Sequence, residues 1–428
     1  MISVTPQQIA DYNADSIHKT LRVTFPNLSY TVEQTNIEQS SFSLNEAIIK
    51  GKQIEFVGCI SSKMEIKLYN ITDPLKNEEI EVAIKTDTTN EIPLFKGYVY
   101  SAVTKRSNGR RCTDIVAYDA LYYLGQKDVA SWYKGLTFPI TLKNFRDSLF
   151  TYLNFTQETV TLPNDNVQIS QQYDPKILQC LSVLKGLCQI NGCFGIINRS
   201  GNFDYRFIEA DSQAMTISND FAFAKTVACE DYYVKPFERV QIRDSEKDEG
   251  VTVGEGTSLS NKYIIQANMF AYKMTTSQKT TVATNIYNVV KGIAIYPCDT
   301  DNNGLPFVEV GDRVKYTLSS SGNSDLSFDT FLLANRTISG IQALRDKYTA
   351  EGDEEASEFV SDLQTQIDTI KQSGGGGDMD DYYTKEETDT AIETAISTET
   401  QTIISVVTFH VARDENTVYL TRGDVTIM

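Results

Sequence analysis

Histidine is almost missing from this chain of 428 residues: His18 and His410 are its two, near opposite ends. Neither has an Asp, Cys or Glu at metal-ligand spacing, so both read as surface or interface positions. A serine or cysteine nucleophile usually takes its base from histidine, and the scarcity argues against such triads. A glycine-rich phosphate loop is missing too. Gly250 and the Gly254/Gly256 pair stand beside acidic residues, Glu249 and Glu255, and Gly374 to Gly377 lack the strand and lysine of a P-loop. No apolar run approaches membrane-spanning length. The opening Met-Ile-Ser-Val-Thr-Pro-Gln-Gln has no basic flank and no apolar stretch, so no signal peptide is expected there. Positive charge is short: 39 Lys and Arg against 57 Asp and Glu leave a formal charge of −18 and a pI near 4.7. That opposes binding of a nucleic-acid backbone by charge neutralisation, while leaving room for a conduit to which nucleic acid should not stick.

The seven cysteines (Cys59, Cys112, Cys180, Cys188, Cys193, Cys229 and Cys298) are odd in number and sit mostly in apolar or strand-like surroundings. They read as buried free thiols of a protein folded in a reducing cytoplasm. Cys188 and Cys193 are close in sequence but lack the spacing of a zinc knuckle or redox pair. Carboxylates are plentiful, which weakens each one as a catalyst. A glycosidase needs two held about 5 to 9 Å apart in a cleft, and neither Glu33 with Glu46 nor Asp114 with Asp119 is favoured by its context. The expectation is a protein that is not an enzyme and carries no cofactor and no metal.

At 48.0 kDa, with 41% hydrophobic residues, the chain is long enough for two to four domains with real cores. Alternating runs at Leu21–Phe25, Ile54–Gly58, Met64–Tyr69, Ile80–Ile84, Leu94–Val103 and Cys112–Tyr118 predict an antiparallel domain of about six strands. Asn108-Gly109 between two of these runs is a hairpin signal. In Val116-Ala-Tyr-Asp-Ala-Leu-Tyr-Tyr-Leu124 a strand turns into a short helix, with Asp119 where a cap belongs. Thr141 is placed to cap a helix burying Leu142, Phe145, Leu149 and Leu153. Asp174-Pro175 opens another, with Ile177, Leu178, Leu181, Leu184, Leu187 and Cys188 as its apolar face and Asn191-Gly192 as its end. A hairpin is expected across Asn198–Asn202. Strands return from about 225 to 345, around a solvated acidic excursion at Asp244–Gly256, and the folded body is expected to stop near Gly340.

Beyond Ala350 the composition turns to Asp, Glu, Thr and Gln with thin heptad-like spacing, Phe359, Leu363, Ile367 and Ile370, before the four glycines. An acidic helix with so narrow an apolar stripe has little reason to exist alone in water, but it suits a bundle of its own copies. Ile392 and Ile396 are the candidate core of that bundle. The tripeptide Arg422-Gly-Asp424 reads as a chance match, and the Asn-X-Ser/Thr triplets, Asn335-Arg-Thr among them, mean little without secretion.

Three motifs together resemble a known arrangement. Leu94-Phe-Lys-Gly-Tyr-Val99 with Asp114-Ile-Val-Ala-Tyr-Asp-Ala-Leu-Tyr-Tyr-Leu124 is similar to a stretch of the phage baseplate hub and tail-associated (tail tip) protein family, shared with phage-derived contractile particles. Val308-Glu-Val-Gly-Asp-Arg-Val314 resembles a Gly-Asp turn in that family's second β-domain. Asp381-Tyr-Tyr-Thr-Lys-Glu-Glu-Thr-Asp389 resembles a segment found ahead of trimeric stalks and fibres in phage structural proteins.

The resemblance implies a mainly β fold with an α/β insertion: two tube-like antiparallel β-barrel domains, a small α/β domain and a C-terminal acidic coiled-coil stalk. The expected boundaries are 1–125 and 211–345 for the barrels and 126–210 for the α/β domain. An acidic helix with a glycine linker would fill 346–377, and the trimeric stalk with its short β end 378–428. The implied protein is a baseplate hub, a homotrimer that joins a tail-tube hexamer to a central spike or tip protein and adapts sixfold to threefold symmetry. A tape-measure protein is a further implied partner, and the implied place is the tail of a virion or phage-like particle assembled in the bacterial cytoplasm. Asp119, Gly311, Asp312, Tyr383, Ile392 and Ile396 are the implied structural or interface residues. The alternatives are a host-binding fibre or adhesin component and, behind it, a cell-wall hydrolase. Many family members continue into a wall-degrading domain, whereas only strand-like segments follow Ile396 here.

Overall fold

The computed structural model describes residues 1–350 except 15, 52–53, 108, 172–173, 209–214, 219–221, 230–232, 258–260 and 319–325, together with 409–413 and 418–422. Met1–Gly374 form one compact unit and Gly375–Met428 a second. Helix α1 (Pro6–Asn13) opens the first. Thr5 and Gln8 close a reciprocal capping box at its start, and Pro6 occupies the first turn, where no amide hydrogen is needed.

Seven strands follow: β1 (Lys19–Phe25), β2 (Tyr30–Thr31), β3 (Ser43–Ala47), β4 (Lys63–Tyr69), β5 (Glu79–Thr86), β6 (Ile92–Ser107) and β7 (Arg110–Tyr118). Their alternation is what makes them strands. In β1 the side chains of Leu21, Val23 and Phe25 are buried, and in β4 those of Met64, Ile66 and Leu68, while the residues between them face outward. The expected run Ile54–Gly58 is not a strand; it makes a single bridge, Gly58 to Gly195, and buries Ile54 and Phe56 from a turn.

The middle of the chain holds α2 (Ala120–Gly125), α3 (Ala130–Lys134), β8 (Ile140–Thr141), α4 (Leu142–Leu153), β9 (Gln168–Ile169), α5 (Cys180–Asn191), β10 (Phe194–Ile197) and β11 (Phe203–Arg206). Thr141 caps α4 through the Asn144 amide, and Leu142, Phe145, Leu149 and Leu153 are buried on one face. Helix α5 starts at Cys180, later than Asp174-Pro175 suggested. Leu178 and Gln179 are drawn into contacts with Asp128 instead, and Ile177 is 67% exposed. Gly192 ends α5 in the left-handed region (φ 67°).

The remainder comprises β12 (Met215–Ser218), β13 (Ala222–Cys229), β14 (Arg239–Arg243), β15 (Val251–Gly254), β16 (Lys262–Gln266), α6 (Thr276–Val290), β17 (Cys298–Asn303), β18 (Arg313–Leu318), β19 (Leu326–Leu332), β20 (Asn335–Ser339) and β21 (Arg345–Ala350). The acidic excursion at Asp244–Gly256 is not all loop, since β15 returns to pair with β14. Phe307–Gly311 forms turns rather than a strand, and β21 carries the sheet past Gly340.

The sheet topology overturns the expected pair of barrels. Eleven strands form one open sheet in the order β13-β17-β21-β20-β3-β4-β7-β6-β5-β1-β2, and none of the sheets closes on itself. The reason lies in β3. Closure of the N-terminal strands would need both of its edges within that group, but one pairs with β4 and the other with β20, Ser43–Ala47 against Asn335–Ser339. Two smaller sheets each contain a parallel pair, β12 with β18 and β14 with β16. With the helices between 120 and 191 and α6, the fold is mixed α/β rather than mainly β.

In the second unit, β22 (Phe409–Arg413) and β23 (Val418–Arg422) form an antiparallel hairpin. Phe359, Leu363, Ile367, Ile370, Tyr383, Ile392 and Ile396, and with them the expected coiled-coil stalk, lie outside the described residues.

Candidate functional site

Two places gather the sequence motifs. The first is the turn holding Gly311 and Asp312. Gly311 has φ 88°, and its amide donates to the Leu333 carbonyl (2.8 Å). The Asp312 carboxylate accepts from the Glu309 amide (2.8 Å) and from the amino group of Met1 (2.5 Å). Arginines grip the approach to this turn from two sides. Arg199, in the β10–β11 turn, donates to the carbonyls of Pro306 and Val308 and to that of Pro93 (3.0 Å). Arg336, on β20, donates to the Leu305 and Val308 carbonyls (3.0 and 2.6 Å) and forks onto Asp346 (2.7 and 2.8 Å), with Glu46 at 3.1 Å.

Burial works against the Arg336 charge, but Asp346 and Glu46 outweigh it and hold its pKa up. Burial likewise pushes Glu309 up, and Arg199, Arg206 and the Met1 amine more than reverse this. The Arg336 guanidinium, engaged by carbonyls and carboxylates through Nε and both terminal nitrogens, fixes backbone and leaves little for a ligand. These arginines escaped sequence reading. Arg336 stood inside the Asn335-Arg-Thr triplet, and the weak signal was a cation between Leu332-Leu-Ala and Ile338.

The second place is the end of the β6–β7 hairpin. Tyr98 pairs with Tyr118 across the ladder, and Asp119 then stops β7 and starts α2 at once. Its carboxylate accepts from the Leu121 amide (3.0 Å), the Ser62 amide (2.7 Å) and the Ser61 hydroxyl (2.7 Å). Burial pushes the Asp119 pKa up to about 6, against the lowering by these hydrogen bonds. The abrupt turn folds Tyr122 and Tyr123 back onto the hairpin. Tyr118 and Tyr122 stack at 4.6 Å, and Tyr100 meets both edge-on at 5.5 and 5.6 Å. Tyr123 meets Tyr98 at 5.5 Å and Tyr122 at 5.2 Å. Beside this cluster lies a hollow of about 460 Å³, with Asn77, Tyr98, Tyr123, Lys127, Asn154 and Phe155 among its lining residues.

The carboxylates nominated for hydrolysis are not assembled into a pair. Glu46 serves Arg336, Asp114 pairs with Lys105, Asp119 is the cap just described, and Glu33 is exposed. Cys59, Cys112, Cys180, Cys188 and Cys193 are buried free thiols, and burial pushes Cys180 up to about 12, away from nucleophilic use. Cys298 departs from the free-thiol expectation: it is disulfide-bonded. Its Cα partner in the β13–β17 ladder is Cys229, a neighbour that 68 intervening residues hide in the sequence. Among the described residues no group of three or more His, Cys, Asp or Glu is placed to hold a metal. No described helix is long and apolar enough to cross a membrane.

No protein-family model matches the sequence, and no curated protein matches it. Solved structures do. The 43 kDa tail protein of prophage MuSo2 from Shewanella oneidensis is similar at a TM-score of 0.50 and 10% identity, over 82% of this chain and 99% of that one. A tail protein from Neisseria meningitidis MC58 is similar at a TM-score of 0.45 and 11% identity, over 78% and 97%. At such identity, the likeness to the Shewanella protein establishes a shared fold.

Proposed function

We propose that this chain is a structural, non-catalytic component of a phage-type tail. The observation behind it is the fold shared with the Shewanella prophage tail protein over 99% of that protein's length. The acidic charge and the engagement of the nominated carboxylates with arginine, lysine and backbone support the same reading.

The finer proposal is a baseplate hub, a homotrimer seated between a tail-tube hexamer and a central spike or tip, with the tape-measure protein as a further neighbour. Each chain contributes two strand groups to one sheet, β1 to β7 and the set β13, β17, β20 and β21, so three chains present six. That is a physical route from sixfold to threefold symmetry without closed barrels. Within it, Asp119, Gly311 and Asp312 fix backbone turns rather than meet substrate. Native mass measurement of the full chain tests it: three copies, or rings of threefold symmetry on tail tubes, are expected. A chain that stays monomeric at micromolar concentration removes the hub. The tyrosine-lined hollow favours a second reading, a host-binding tail component, and glycan-array binding with no association to tube rings would select it.

A further inference from the structure

We propose that the hollow beside the tyrosine cluster is a binding site for an acidic saccharide, a pyranose carrying a carboxylate. Its walls supply what such a ligand asks for. Tyr98, Tyr123 and Phe155 line it with aromatic rings, the side chains whose faces stack on the C–H face of a sugar. Asn77 and Asn154 stand at left-handed corners (φ 70° and 50°) on separate elements, the approach to β5 and the end of α4. Each carboxamide is both donor and acceptor, the combination that pairs with neighbouring hydroxyls.

The charge is selective. In a chain of net charge −18, this hollow is lined by one cation, Lys127, and by no carboxylate. Lys127 is exposed, while nearby Glu79 is taken by Lys96 at 3.0 Å. The occupant is therefore polyhydroxylated, flat on one side and anionic. At about 460 Å³ the hollow is of small-ligand size, within the roughly 300–1,000 Å³ typical of such sites. A protein partner would ask instead for a broad patch of about 800 Å². The proposal does not depend on the role in a tail, and either can fail alone.

Calorimetric titration of the full chain with trigalacturonate, and with galactotriose as its uncharged counterpart, tests the site. Binding of trigalacturonate is expected at Kd on the order of 1 mM, at least about tenfold tighter than galactotriose and weakened by added salt. Lys127→Met should remove that preference. Asn77→Gly and Asn154→Gly keep the left-handed corners and remove the amides, and each should weaken both sugars. No binding of trigalacturonate up to about 10 mM overturns the proposal. Equal binding of both sugars, or a Lys127→Met protein indistinguishable from wild type, overturns it as well.

Discussion

Asp119 is a carboxylate on which burial and hydrogen bonding pull in opposite directions, and burial prevails. Its folded pKa of about 6 stands above the ordinary 3.8 of an aspartate, so the protonated form is the one that folding favours. The stability it lends is full below pH 3.8 and is lost as pH rises through about 6. Chemical denaturation should therefore show stability falling by about 2–3 kcal/mol between pH 4 and 7 through this group. Asp119→Asn should flatten that part of the profile while keeping an oxygen for the Leu121 amide. If the slope survives in Asp119→Asn, another group causes it. Arg336 presents the opposite balance, a buried cation held by two carboxylates and two carbonyls. Arg336→Met strands Asp346 and Glu46 and should cost about 3–5 kcal/mol. Replacing Asp346 by Leu in that background should recover part of the loss. A double variant no more stable than Arg336→Met would mean that the carbonyl contacts, not the ion pair, carry the residue's contribution.

Among the elements, the β6–β7 hairpin shows how a motif residue earns its identity. A Cβ on Gly97 would lie 2.3 Å from the Tyr118 carbonyl oxygen and 2.5 Å from the Phe95 ring. The carbonyl belongs to a strand end fixed by the ladder and the Asp119 cap, so it cannot retreat. Gly97→Ala should thus destabilise by about 2–4 kcal/mol and loosen the tyrosine cluster, read by denaturation and near-ultraviolet circular dichroism. A change within about 0.5 kcal/mol would show that the hairpin end yields. Strands β1, β4, β5 and β7 were legible because a half-buried strand writes its alternation into the sequence, and α4 because Thr141 and its apolar face agree. The start of α5 was not, since Leu178 answers to Asp128, fifty residues away. Nor was β3, Ser43–Ala47, whose mixed composition is stabilised by neighbours on both edges rather than by its own pattern. Of the candidate site, Asp119 and the Gly311-Asp312 turn could be read locally. The arginines that grip the turn could not, because their partners are distant in sequence and nearby only in the fold.

At the scale of the whole molecule, the β3–β20 ladder decides whether the N-terminal strands are a domain or half of something larger. Five register pairs join Ser43–Ala47 to Asn335–Ser339. Amides on both flanks extend the seam, Ile48 to the Ala334 carbonyl and Gly340 to that of Phe42, each at 2.9 Å. Asn45 accepts from the Thr337 hydroxyl at 2.8 Å, and Gln342 reaches the Lys19 amide at 3.0 Å. A fragment of residues 1–125 would expose β3 as an unpaired edge and leave Glu46 without its guanidinium, the conditions under which strands pair with other chains. The expectation is that 1–125 self-associates or fails to protect its Ser43–Ala47 amides from hydrogen exchange, whereas 1–350 protects them and unfolds in one transition. The comparison also bears on assembly, because a sheet that unfolds as one body transmits a load across all of its strands. If 1–125 is instead monomeric with those amides fully protected, the ladder is a contact between two independently stable domains. The two strand groups would then be free to move against each other when neighbouring chains assemble.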